Sequence, residues 1–192
     1  MLALAIDANV SPASRPLRLQ KGEALESLFR SALSRGDGLT ASHCVHERWM
    51  RTEMPIHIER ALEQLWQHAA PSIPDWLPMR YIHWLPLAYE VAARFRAPRG
   101  RYNIYLVLLD YSDRNGEPHG VYVGMSHYAP AARFDQHKAG IRASGSVLKR
   151  GLEVLTGPTQ HLQRLERAAA QRIEEQLAQA LRAEGLLVQG GH

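Results

Sequence analysis

From Lys21 to Leu33 the apolar residues Ala24, Leu25, Leu28, Phe29, Ala32 and Leu33 recur at three- and four-residue intervals, until Gly36 and Gly38 end the pattern. That is the period of an α-helix with one buried face, so the spacing predicts an amphipathic helix. A second is predicted from Ile56 to Ala69, with Ile58, Ala61, Leu62 and Leu65 on one stripe. Pro71, Pro74 and Pro78 break the chain that follows, because proline lacks an N–H and disfavours helix in the residue before it. After Pro86 the run LAYEVAARFR is helical again. At Pro98-Arg99-Gly100 the sequence changes character, which sets the expected domain boundary.

Beyond that boundary the pattern shortens. Asn103 to Asp110 (NIYLVLLD) is rich in β-branched and aromatic residues and too short for a typical helix, so it reads as a buried strand. Gly120 to Ser126 reads as a second strand, and the Asn115-Gly116 pair between them predicts an antiparallel hairpin with a long loop. Pro130 to Ala139 follows as a helix with proline in its first turn. Leu152 to Leu155 carries a weak signal for a third strand. A last helix is predicted from a Thr159 cap to about Ala183, with Leu162, Leu165, Ala169, Ile173, Leu177 and Leu181 on its apolar stripe. The expected class is α/β of the α+β kind: a small antiparallel three-stranded sheet flanked by helices over residues 101–192. A mainly helical region over residues 1–100 precedes it.

Composition narrows the setting. With 192 residues, 45% hydrophobic and 22% charged, the chain has enough apolar surface for a sizeable core and is neither disordered nor fibrous. Its longest clean apolar run, Ile104 to Leu109, is far shorter than a bilayer span, so no membrane partner is expected. The N-terminal MLALAIDANV lacks a basic flank and is interrupted by Asp7, which argues against a signal peptide. Cys44 is the only cysteine, so no intrachain disulfide can form, and a cytoplasmic location is expected.

The net charge of +4 and pI near 9.5 tilt the chain towards polyanions. Two clusters concentrate that charge: Arg94, Arg96, Arg99 and Arg101, and then Arg133, Lys138, Arg142, Lys149 and Arg150, offset only by Asp135. Either cluster alone describes an ordinary solvated face. The second acquires meaning from its neighbours.

Tyr105 lies on the first strand, and Tyr122 and Gly124 lie on the second. Side chains alternate with period two, so the two tyrosines and the glycine can share one face, with Gly124 leaving room for a ligand backbone above the sheet. Arg133 and His137 are four apart on the next helix and point the same way. Hydroxyls, a guanidinium and an imidazole beside a basic helix are what phosphodiester hydrolysis asks for. They provide a proton acceptor near the attacking water and fixed positive charge where the phosphorane develops.

These residues resemble the GIY-YIG nuclease superfamily. Asn103-Ile104-Tyr105 corresponds to its first motif and Tyr122-Val123-Gly124 to its second. Arg133 and His137 correspond to its following Arg and His, and Glu174 to Leu181 to its late-helix pattern. The resemblance spans about residues 102–192. It implies a metal-dependent endonuclease that hydrolyses nucleic acid, with DNA the expected substrate and one Mg²⁺ or Mn²⁺ ion as cofactor. In such an enzyme Tyr105, Tyr122, Arg133, His137 and Glu174 are catalytic. Glu174 holds the metal, Arg133 clamps the phosphate, and one of the tyrosines handles the water while His137 tunes it. Gly124, Lys138, Arg142, Lys149 and Arg150 are the expected nucleic-acid contacts.

Helical spacing puts Glu174 on the flank of the buried stripe and Glu175 towards solvent, while Glu166 passes the same test as Glu174 and is kept in reserve. The alternative function is a nucleic-acid-binding or interaction protein on the same fold without catalysis. Departures from the family pattern are Asn103 in place of glycine, a longer hairpin loop, and a Gly190-Gly191-His192 end in place of a late asparagine.

The first hundred residues match no pattern of this kind. His43, Cys44, His46 and Glu47 are residue types that zinc uses, but no second ligand pair follows at a matching spacing. Trp49, Trp66, Trp76 and Trp84 all fall here and are expected to build a helical core.

Overall fold

Strand β1 (Arg99–Asp110) is buried from Asn103 through Leu109, because it is covered on both faces and paired on both edges. The computed structural model describes residues 6–51, 53–74, 76–77 and 82–191. Most of the N-terminal apolar patch, Pro78 and His192 lie outside them. Two compact units divide the chain, Met1–Tyr81 and Ile82–His192.

In the second unit β1 pairs antiparallel with β2 (His119–Ser126) on one side and with β3 (Gly151–Leu155) on the other. A fourth strand, β4 (Val188–Gly190), runs parallel to β2, so the sheet is mixed, in the order β3-β1-β2-β4. The expected three-stranded antiparallel sheet therefore gains a strand. Three residues after a helix-ending glycine carry too little pattern to announce a strand, and the exposed edge of β2 supplies the reason they become one.

One face of the sheet, formed by Ile104, Leu106, Leu108, Val121 and Val123, packs with the long helix that closes the chain (Arg167–Ala183), through Ile173, Leu177, Ala178 and Leu181. The earlier helix Leu85–Ala92 joins the same core through Ala88, Val91 and Ala92. Just before it, Trp84 is buried there too and donates its indole N–H to the His119 carbonyl at 3.3 Å. The boundary consequently falls between Tyr81 and Ile82, not at residue 100. Pro98 and Gly100 mark only the entry into β1, and Trp84 belongs to this unit.

The long hairpin loop is closed by the Tyr111 N–H donating to the Pro118 carbonyl at 2.7 Å. The closing helix also starts later than predicted, at Arg167 and not at Thr159. Residues Gln160–Leu162 form a single 3₁₀ turn, and Arg164 takes a positive φ. Leu162 and Leu165 are both buried at helical spacing, yet Leu165 bridges to Arg99 and Tyr102 in extended conformation. Their contact with the start of β1 overrides the helical period.

Asn103 secures that crossing. It needs no unusual dihedral, since it sits in regular strand pairing with Ser126. Its buried amide donates to the Tyr128 carbonyl and accepts from the Arg164 N–H, each at 2.9 Å, so one side chain ties β1 to the segments on both flanks.

The first unit contains α1 (Gly22–Ser34), α2 (Gly38–Met50) and α3 (Pro55–Ala69). In chain order the helices of the second unit are then α4 (Leu85–Ala92), α5 (Pro130–Lys138), α6 (Gly145–Arg150) and α7 (Arg167–Ala183). Helices α1 and α3 match their apolar stripes. Helix α2 was not predicted, because from Thr40 to Glu47 every residue is buried and no polar face remains to show a period. Asp37, which accepts from the Thr40 N–H at 2.9 Å, is the cap signal that could have revealed it. Trp66 is exposed, so it does not build the core.

Asn103→Ala is expected to lower the unfolding free energy of the second unit by about 2 kcal/mol, because two backbone groups lose their partners at once. Urea denaturation followed through the indole of Trp84 would measure it.

Candidate functional site

The β1–β2 register places Tyr105 opposite Gly124 and Val107 opposite Tyr122. Tyr105 and Tyr122 are therefore diagonal neighbours on one face, with ring centroids 6.0 Å apart. Both rings crowd the space above Gly124: a Cβ there would lie 2.6 Å from the Tyr122 ring and 2.7 Å from the Tyr105 hydroxyl. This corrects the expectation that Gly124 makes room for a ligand. The glycine makes room for the tyrosines, and it contributes to binding only through them. Gly190 plays a similar part from β4, where its positive φ and a Cβ position 2.9 Å from the Tyr122 ring admit no side chain.

Helix α5 closes over this face and brings His137 to the tyrosines. The Tyr105 hydroxyl lies 2.9 Å from His137 Nε2, and the Ser144 backbone N–H donates to His137 Nδ1 at 2.9 Å. The second bond decides the tautomer. Nδ1 is an acceptor, so the proton sits on Nε2 and is donated to Tyr105 Oη. Burial and the nearby Arg133 charge bring the His137 pKa down to about 4, so the ring is neutral at physiological pH.

Tyr122 comes next, its ring centroid 6.0 Å from that of Tyr105 and 5.7 Å from that of His137. Burial, first of all, raises the pKa of both phenols, while Arg133 acts against it in both cases. Tyr105 is fully buried and Tyr122 only partly so. Tyr122 is thus the accessible end of the network, a distinction that sequence alone leaves open.

Glu174 approaches from the opposite side of the sheet. Strand β4 stops at Gly190, opposite Val123, so β2 continues past it with an unpaired outer edge. The Glu174 charge reaches Tyr122 past that edge and raises the phenol's pKa, while the Met125 backbone acts on the carboxyl in the opposite sense to burial. Desolvation raises the Glu174 pKa from 4.5 to about 7, with a smaller contribution from Glu175. Glu166 lies ahead of α7, exposed, about 12 Å back along the axis at 1.5 Å per residue. Glu174 is the one whose charge acts on Tyr122.

The basic residues divide. The Arg133 guanidinium donates to the Ile141 carbonyl at 3.2 Å and the Arg142 carbonyl at 2.7 Å, so it braces a loop, and its charge lowers the pKa of Tyr105 and Tyr122. Lys138 donates to the Leu148 and Gly151 carbonyls at 3.1 and 3.2 Å, capping the end of α6. Arg150 pairs with both Asp113 oxygens, at 2.7 and 2.9 Å, and stacks on Tyr111. Both side chains are engaged in the fold, Lys138 by backbone carbonyls that leave its charge intact and Arg150 by a carboxylate that offsets it. Arg142 and Lys149 remain exposed.

Among the described residues no group of three or more His, Cys, Asp or Glu is arranged to hold a metal ion. In the first unit Glu47 pairs with Arg15 at 2.8 Å and Arg51 at 2.6 Å, and burial pushes the Cys44 thiol up to about 12. A lone carboxylate can still serve a hard cation, since magnesium keeps several waters and takes phosphate oxygens as further ligands.

Family models, curated proteins and solved structures all returned no match. Among the described residues no helix is long and apolar enough to cross a membrane.

Ser144 is the site residue that sequence reading missed. It fixes the imidazole through its backbone N–H, and backbone groups leave no trace in residue type. The one available signal was its place seven residues after His137, at the start of a short Gly-Ser segment.

The Glu174 pKa yields a pH test. Between pH 4.5 and about 7 the folded carboxyl keeps a proton that the unfolded one has lost, so this group makes stability fall as pH rises through that window. In chelator, Glu174→Gln is expected to unfold at a higher temperature than wild type at about pH 8, with the gap closing towards about pH 4. Calorimetry across that range would measure it. A gap that does not change with pH would contradict the raised pKa.

Proposed function

We propose that the second unit is a metal-dependent endonuclease of the GIY-YIG kind, acting on nucleic acid and most directly on DNA. The observation that supports this reading is the convergence of the hydrogen-bonded Ser144–His137–Tyr105 series and the adjoining Tyr122 ring with the charges of Arg133 and Glu174.

In this mechanism Tyr122, held beside Tyr105, accepts a hydrogen bond from the attacking water at its phenol oxygen, and the water gives up its proton to solvent as its oxygen bonds to phosphorus. The ester P–O bond breaks on the opposite side and the leaving oxygen keeps the electron pair. Arg133, held in place by the loop carbonyls, neutralises charge on the non-bridging oxygens. His137 keeps Tyr105 oriented and stays neutral throughout.

Glu174 would hold the cation, because its desolvated carboxyl gains most from a positive partner. When bound, the divalent ion would supply Lewis-acid stabilisation of the phosphate oxygens and of the leaving group.

The test uses labelled DNA with magnesium, manganese or chelator. Wild type is expected to cleave only with metal. Glu174→Gln and Tyr122→Phe should each reduce cleavage by about a hundredfold or more, while binding measured in chelator changes by less than about threefold. Binding that weakens steeply with salt, without cleavage under any metal, would favour the non-catalytic binding protein.

A further inference from the structure

Beside the proposed catalytic group lies a cavity of about 460 Å³ that the mechanism does not use. One wall is aromatic. The His127 and Tyr128 rings lie 4.0 Å apart, and Tyr102 meets His127 edge-on at 6.3 Å. The other wall carries Arg133, Gln136 and Arg142.

Tyr128 is 43% exposed, an unusual position for a large ring whose backbone is fixed on both sides. Its N–H donates to Ser126 Oγ at 3.1 Å and its carbonyl accepts from Asn103 at 2.9 Å. The ring is therefore an exposed flat surface on a rigid mount, and little conformational entropy remains to be lost when something stacks on it. Across the cavity, Arg133 donates to the Gln136 carbonyl oxygen at 3.0 Å, which turns the Gln136 amide N–H₂ outward as a neutral donor. Arg142 adds an exposed cation at the rim. An aromatic surface, an amide donor and a cation together suit a nucleobase with its phosphate, and the volume lies within the range of small-ligand pockets.

The cavity shares Arg133 with the proposed phosphate site, so base and scissile phosphate belong to adjoining parts of one strand. A base seated there has left any duplex stack. We propose that the cavity receives one unpaired nucleobase next to the cleaved phosphate, and hence that the substrate is single-stranded or locally unpaired nucleic acid. Stacking accepts every base, so little sequence preference is expected from this pocket. The proposal rests on the nuclease reading for its phosphate but not for its binding measurement.

The experiment titrates the full chain, in chelator, into single-stranded oligonucleotides that carry 2-aminopurine, and into the same strand made abasic or paired into duplex. Base-dependent fluorescence quenching is expected, with the single strand bound about tenfold more tightly than either control. Tyr128→Ala should remove that advantage and Tyr128→Phe should keep it. Circular dichroism would establish that both variants fold.

Equal affinity for the single strand and both controls, or a Tyr128→Ala variant that keeps the quench, overturns the pocket. Metal-dependent cleavage would then still stand or fall by its own assay. Quenching that depends on Tyr128, in a protein that never cleaves, supports the pocket and removes the nuclease. No binding to any nucleic acid overturns both.

Discussion

Two tyrosine rings share the space above a residue that has no side chain, and the second unit is organised around that approach. With Tyr105 directly opposite Gly124, the ring of one strand lies over the backbone of the other. A slip of β1 by one residue would turn Tyr105 into the core packed by α7 and turn Ile104 and Leu106 out, so the register is held by apolar burial on one face and ring packing on the other. His137 reaches Tyr105 only because the phenol is pinned in this way. Gly190 extends the same requirement to the last strand.

Charge is used here mostly for construction. Lys138 ends α6, Arg150 holds the hairpin loop through Asp113 and Tyr111, and Arg133 fixes the carbonyls of the loop after α5. Each supplies a donor where the backbone turns and would otherwise leave carbonyls unpaired. The net charge of +4 therefore overstates what is available to a polyanion. At the rim of the tyrosine site the exposed cation is Arg142, whose own backbone is set by Arg133.

Glu174 acts on Tyr122 where β4 ends. The sheet edge beyond Gly190 lets the charge of a carboxylate on one side of the sheet reach a phenol on the other. The raised pKa follows from the same placement, because the group is screened from water without being given a cation.

Much of the outline was legible from periodicity. The helices α1, α3, α4 and α5, the hairpin strands and the common face of Tyr105 and Tyr122 follow from spacings of two or three to four, since each buries one face against one partner. Spacing of four likewise put Arg133 and His137 together. Where one period served two masters, legibility ended. Helix α2 is buried all round and shows no stripe, while Leu162 and Leu165 imitate a helix but pack against β1. The boundary at Tyr81 depends on where α4 finds its core. Only the tertiary structure decided that Gly124 serves the tyrosines, that Lys138 and Arg150 are committed, and that Glu174 and not Glu166 acts on Tyr122. Those outcomes depend on contacts between residues far apart in the chain, and a one-dimensional pattern records the chemistry of each partner but not their meeting.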